Sequence, residues 1–216
     1  MSLRLDQALI AEWIKPRSRV LDLGCGDGAL LAYLSAERGV SGYGLEIDEQ
    51  NLLKCISAGV NVIQSDLDAG LADFESDSFD YVIMTQTLQA VRYPHRLLQD
   101  MLRVGREGIV TFPNMGHLSC RLQLVFKGRM PLTKALPHQW FDTPNIHLCS
   151  VADFERTCRA LRIDMLQRAT VDHTHRSGFG MRLFPQLLGE IALYRLQGGR
   201  PAAQGEPLSA FRPSSG

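Results

Sequence analysis

The sequence predicts an α/β fold: a doubly wound, mostly parallel seven-stranded sheet with an antiparallel edge strand. Three observations carry this expectation. Short aliphatic runs alternate along the chain with segments of helical periodicity. The runs have no polar face, as strands sandwiched between two helical layers require. The first run, Val20-Leu21-Asp22-Leu23, enters the turn Gly24-Cys25-Gly26-Asp27-Gly28 and then a helical segment, the strand–glycine loop–helix order of nucleotide-type sites.

Leu5 to Ile14 places Leu5, Leu9, Ile10, Trp13 and Ile14 at helical spacing, and Pro16 ends that pattern. After the glycine loop come a helix from Ala29 to Arg38, a strand from Tyr43 to Ile47, a helix from Glu49 to Ala58 and a strand from Val60 to Gln64. Phe79 to Met84 is the fourth strand, Pro94 to Val104 a helix with Leu97, Leu98, Met101 and Leu102 inward, and Ile109 to Phe112 the fifth strand. Ser150-Val151-Ala152-Asp153 resembles a capping box that opens a helix to about Leu161, followed by a strand from Ile163 to Val171. Glu190 to Leu196 gives the antiparallel edge strand, with a helix over Leu183 to Leu196, interrupted near Pro185 and Gly189, as the alternative. Gly198 to Gly216 is rich in Gly, Pro, Ala and Ser and is expected to be a disordered tail. Residues 1–197 then form one domain, with an insert at 114–149.

Bulk composition narrows the function classes. The 216 residues hold 23 basic and 23 acidic side chains, so no net field draws the chain to nucleic acid or to an anionic membrane. Five cysteines form no CxxC pair and follow no secretory leader, which favours a reducing cytoplasm. No Cys/His spacing of metal-site type occurs, and His173 and His175 are expected to be solvated loop residues.

The glycine loop carries the functional signal. Gly24-x-Gly26-x-x-Ala29 satisfies the looser dinucleotide fingerprint, but Asp22, two residues ahead of it, would oppose a pyrophosphate with like charge. The ammonium and sulfonium of S-adenosylmethionine (SAM) are both cationic and suit that carboxylate. The expected cofactor is therefore SAM or its product S-adenosylhomocysteine, cradled by Asp22, Gly24, Cys25, Gly26 and Gly28. In a doubly wound sheet, the remaining contacts lie just past the carboxyl ends of the strands. Glu46, about twenty residues after the loop, is placed to accept from both ribose hydroxyls, with Ile47 beside it and Asp48 as a helix cap. Asp66 is placed to accept from the adenine amino group and Leu67 to pack on the ring, with Asp68 as competitor for the polar role. Gln86, in Thr85-Gln86-Thr87-Leu88, faces the methionine end.

Together VLDLGCGDG, Glu46, Asp66 and DSFDYVIMTQTLQ resemble the class I SAM-dependent methyltransferases over roughly residues 18 to 114. TQTLQAV, FPNMGHLSCRLQL, GRMPLT and WFDTPNIHLCSVADFE are similar to a narrower group, the methionine biosynthesis protein MetW family, from about Leu5 to Leu196. That resemblance implies a Rossmann-like methyltransferase fold and a role beside a homoserine O-acyltransferase, and it names no methyl acceptor.

The insert between Asn114 and Cys149 exceeds ordinary α/β connections and is expected to form a lid over the methyl end of the cofactor. His117 and His147 are the candidate bases there, and Arg121 or Arg129 could hold a carboxylate. Alternatively these histidines cap loops, and the arginines pair with Asp142 or Asp153. Three functions remain open: a SAM-dependent methyltransferase acting on a small molecule, a non-catalytic SAM-binding regulator of a homoserine acyltransferase, and an NAD-dependent oxidoreductase.

Overall fold

A computed structural model describes residues 3–171 and 185–199. His173, His175 and the expected disordered tail beyond residue 199 lie outside the described residues. The chain runs α1 (Leu5–Trp13), β1 (Arg19–Leu23), α2 (Ala29–Arg38), β2 (Ser41–Glu46), α3 (Glu49–Ser57), β3 (Val62–Gln64), β4 (Phe79–Thr85), α4 (Pro94–Val104), β5 (Gly105–Pro113), α5 (Leu118–Lys127), α6 (Val151–Ala160), β6 (Ile163–Val171), α7 (Pro185–Leu188) and β7 (Ile191–Gly198). Single 3-10 turns follow β3 at Leu67–Ala69 and β4 at Leu88–Ala90.

The seven strands form one sheet in the order β3-β2-β1-β4-β5-β7-β6. The first five in that order are parallel, and β7 is the expected antiparallel strand, although it lies one strand in from the rim, between β5 and the edge strand β6. The expected strand over Glu190 to Leu196 is thus present as Ile191–Gly198. Among the described residues of that segment, helix is confined to the single turn Pro185–Leu188.

Alternation along the central strands builds two cores. Tyr81 and Ile83 of β4 join Ile10, Ile14, Leu30 and Leu34 from α1 and α2 on one face. Val82 and Met84 join Leu97, Leu98, Met101 and Phe154 from α4 and α6 on the other. Phe112, Phe154 and Tyr194 close the second core, the outer two rings each 4.8 Å from Phe154. The expectation that every strand is covered on both faces fails at the rims. Tyr43 and Ile63 on β2 and β3, and Met165 and Leu166 on β6, are exposed, because the helices cover only the middle of the sheet.

A second departure is α5, which lies inside the insert and was not expected as an element. The insert's two ends are pinned together by a bridge between Asn114 and Cys149, with Met115 N donating to the Cys149 carbonyl at 2.9 Å. The Asn114 side chain uses its full bonding capacity. Its amide donates to the carbonyls of Gln186 and Gly189 at 3.0 and 2.8 Å, and its oxygen accepts from Gly116 and Val151 at 2.9 and 3.2 Å. One buried side chain therefore joins the end of β5, the start of the insert, α6 and the segment leading into β7.

Replacing Asn114 by Ala leaves buried backbone groups of three segments without partners. The Asn114→Ala variant is expected to lose about 2–4 kcal/mol of unfolding free energy in urea titration. An unchanged midpoint would show that Asn114 does not clamp these segments.

Candidate functional site

The site forms where strand order reverses between β1 and β4, at the carboxyl ends of the strands. After β1 the backbone turns through left-handed conformations at Gly24 (φ 71°) and Gly26 (φ 58°), which side chains bearing a Cβ rarely adopt. The two glycines differ in surroundings. A Cβ on Gly24 would stand 2.6 Å from Thr87 Oγ1, so the loop packs directly on the turn after β4. A Cβ on Gly26 would meet nothing within 4 Å, so there the cradle faces open space. The Gly24 and Cys25 amides both donate to the Leu45 carbonyl, at 2.8 and 3.1 Å, anchoring the turn to β2.

Glu46 does more than end β2. Its Oε2 accepts from Gly26 N at 2.8 Å, and its Oε1 accepts from Ile47 N and Asp48 N at 2.8 and 3.0 Å. This buried carboxylate is held as a charged acceptor by three backbone amides and shapes the glycine loop. The sequence placed it at the loop but missed this second duty. Ile47, 60% exposed, leaves an apolar side chain bare beside it. Asp48 caps α3 by accepting from Asn51 N at 2.9 Å, as expected.

Asp22 is 2% exposed, and its Oδ1 has no hydrogen-bond partner among the described residues. Burial pushes its carboxyl from 3.8 to about 7; the Arg4 charge pulls it down and the Glu46 charge pushes it further up. Thr85 Oγ1, at the end of β4, and Gln89 Oε1, in the following turn, are also buried without partners. Three orphaned polar atoms thus lie within β1, at the end of β4 and in the turn after it, each of which a polar ligand or ordered water would satisfy.

Gln86 directly follows β4, but its side chain is occupied. Its Nε2 donates to Asp6 Oδ2 at 3.1 Å, and Asp6 in turn is held by Arg4 at 3.2 Å. Gln86 also sits at φ 53°, a strained conformation for a residue with a Cβ. Asp6 and Arg4 were not expected at the site. The available signal was Asp6 four residues before Ile10, a carboxylate on the apolar face of α1.

Asp66 is exposed, and its Oδ1 caps the 3-10 turn through Asp68 N at 2.9 Å. Leu67 is half-buried against the core, while Asp68 accepts from Arg92 N at 2.7 Å and pairs with its guanidinium. Among the two candidate bases, His117 Nδ1 accepts from Ser119 N at 3.2 Å as the N-cap of α5. His147 Nε2 lies 3.2 Å from the Arg92 carbonyl, and its backbone N, with that of Ile146, donates to the Gln89 carbonyl. The far end of the insert therefore rests on the turn after β4. Arg121 donates to the Gly116 carbonyl at 2.7 Å, and Asp153 accepts from Ser150 and Arg156; the expected arginine pairings with Asp142 or Asp153 give way to these shorter-range ties. Cys25 and Cys55 face each other beside the loop at 3.7 Å, and burial raises both thiols.

Comparison with known proteins fixes the family. The profile described as "Methionine biosynthesis protein MetW" matches residues 4–196. The chain belongs to the MetW family. It is 40% identical over 162 residues to the "Bifunctional methionine biosynthesis protein MetXA/MetW" of Rhodopirellula baltica, covering 71% of this chain and 26% of that protein. It is 30% identical over 134 residues to a ubiquinone biosynthesis O-methyltransferase of Hahella chejuensis, covering 58% of this chain and 56% of that one. The chain thus spans about a quarter and just over half of these curated relatives. Among solved structures, an S-adenosylmethionine-dependent methyltransferase from Mesorhizobium loti superposes with TM-score 0.66 at 17% identity, covering 89% of this chain and 97% of that chain. A Haloferax volcanii complex of the Trm112 methyltransferase activator with a putative methyltransferase gives 0.64 at 14% identity, covering 92% and 91%. The MetW-family chain therefore has the class I methyltransferase fold. No helix among its described residues is long and apolar enough to cross a membrane.

Asp22 makes stability pH-dependent with a definite sign. Its folded value of about 7 exceeds the ordinary 3.8, so the folded chain keeps a proton that the unfolded chain releases. Stability from this group is full below about pH 4 and is lost as pH rises through about 7. Asp22→Asn is expected to be more stable than wild type at pH 8 by on the order of a few kcal/mol, with the gap closing toward pH 4. Urea midpoints at the two pH values check this; a constant difference would refute a buried, unpaired carboxylate.

Proposed function

We propose that this chain binds S-adenosylmethionine or S-adenosylhomocysteine at the glycine loop and serves methionine biosynthesis beside a homoserine O-acyltransferase, transferring a methyl group to a small molecule. The observation that carries the reading is the orphaned, buried Asp22 carboxylate beneath a glycine cradle that opens at Gly26. A cationic group at that mouth supplies the missing partner and favours the ionised carboxylate, whereas a pyrophosphate would be repelled. The residues present fit the cofactor. Asp22 receives the ammonium, the glycine-rich turn Gly24, Cys25, Gly26 and Gly28 brings the backbone close beneath it, Ile47 and Leu67 offer apolar faces to the base, and Asp66 accepts from its amino group. Glu46 holds the ribose with the acceptor capacity left on Oε2, since Oε1 already serves two amides. When bound, the cofactor supplies an electrophilic methyl on a sulfonium. The protein's part is then to align an acceptor and exclude water, with Gln86 and the insert's Ile146–His147 stretch framing the methyl end. The acyltransferase partnership draws on the relative whose name joins MetXA to MetW.

One observation favours a second reading, in which the chain binds the cofactor without turnover and regulates the acyltransferase. Both candidate bases, His117 and His147, have a ring nitrogen engaged in a structural contact.

Calorimetry with SAM, S-adenosylhomocysteine and NAD tests the cofactor, and mass spectrometry of a metabolite extract incubated with isotopically labelled SAM tests turnover. SAM is expected to bind more tightly than NAD; the reverse order overturns the reading. Labelled product supports methyl transfer, and its absence with intact SAM binding supports the regulator. The Glu46→Gln variant keeps the side chain's shape while removing its charge. It is expected to lose tenfold to a hundredfold in SAM affinity, about 1.5–3 kcal/mol. Undiminished affinity in this variant would place the ribose elsewhere.

A further inference from the structure

The insert carries a surface that the cofactor site does not explain. Helix α5 buries only Cys120. Its apolar residues Leu118, Leu122, Val125 and Phe126 follow the i, i+4, i+7, i+8 spacing of a single stripe, and all four are exposed. Val125 and Phe126, 75% and 79% exposed, stand at the helix end, just before the left-handed Gly128 terminates it. Farther along the insert, Trp140 and Phe141 meet edge to face at 5.7 Å and remain 74% and 71% exposed. Aromatic side chains so bare are the residue types that anchor protein interfaces.

Charge gives the patch a second character. The whole chain balances 23 basic against 23 acidic residues, but residues 115–149 hold four basic side chains (Arg121, Lys127, Arg129, Lys134) and one acidic one, Asp142. The segment that carries the apolar stripe is therefore locally basic within a neutral protein. That combination fits a groove that takes an amphipathic helix and is bordered by carboxylates.

We propose that the exposed face of α5, together with Trp140 and Phe141, is the docking surface for the homoserine O-acyltransferase, inserting its stripe into an acid-rimmed apolar groove of that enzyme. This inference rests on the partnership proposed above. The joined name of the Rhodopirellula baltica relative supports that occupant over others, because a MetXA portion tethered to a MetW portion keeps the two at high effective concentration. The surface is distinct from the glycine cradle, so docking and cofactor binding are separable by mutation.

The test measures association of the purified full chain with the purified homoserine O-acyltransferase of the same organism, by biolayer interferometry and by size-exclusion chromatography with light scattering. The double variant Val125→Glu/Phe126→Glu and the single variant Trp140→Ala are each expected to weaken the complex at least tenfold. SAM affinity should stay within threefold and the melting temperature should be unchanged. Arg129→Glu is expected to slow association and to flatten its salt dependence, as removal of a steering charge does. Wild-type affinity in all three variants would overturn the docking face while leaving the partnership standing. Separate elution of the wild-type proteins at micromolar concentration, with and without SAM, would sink the partnership itself. Two further outcomes would also overturn the proposal by showing a different occupant. One is a wild-type dimer of this chain that the double variant dissolves while acyltransferase binding persists. The other is binding to phosphatidylglycerol-containing vesicles that the same variant abolishes, again with acyltransferase binding intact.

Discussion

The arrangement depends on one charged acceptor. Glu46 collects the amides of Gly26, Ile47 and Asp48 onto a single buried carboxylate, which ties the turn after β1 to the end of β2. Backbone N–H groups in a left-handed turn point into space that no strand or helix partner reaches, and leaving them unpaired in a buried setting costs about as much as the turn can bear. With the carboxylate in place, the loop is held against β2 on one side and against Thr87 on the other. The start of α2 and the open side of Gly26 follow from that frame.

The same economy governs the far side of the mouth. Asn114 meets four backbone groups from different segments, so a connection of unusual length is gathered at its base by one side chain rather than by a layer of secondary structure. The opposite rim is closed from the insert's other end, where Ile146 and His147 rest on the Gln89 carbonyl. Between these two fixed points the insert is free to present α5 outward, which is why that helix buries so little.

What the sequence made legible was whatever has a local cause. The glycine turn, Asp48 before a helix, Pro94 at a helix start and Ser150 opening α6 each act through neighbours a few residues away, and each stands where expected. The full length of β5, from Gly105, was harder to see, because Arg106 and Glu107 interrupt the apolar run; they are paired across strands, to Asp80 and Arg195. Helix α5 was not expected, although the helical spacing of Leu118, Leu122, Val125 and Phe126 was present in the sequence; that stripe faces solvent rather than the core. Roles that join distant segments were the least legible. Nothing near Asn114 or Asp6 announces that partners 72 or 80 residues away will come to meet them.

The tie between Asp6 and Gln86 has a consequence for motion. Helix α1 is outside the sheet, yet it holds the one residue of the β4 turn that occupies a strained backbone conformation. A fluctuation that lifts α1 removes the acceptor of the Gln86 side chain, while the Gln86 backbone N–H stays on Thr111 and its carbonyl still accepts from Gln89 Nε2 at 2.6 Å. Opening of the first helix is therefore expected to be felt at the β4 turn, 80 residues away in the chain, as faster amide exchange there.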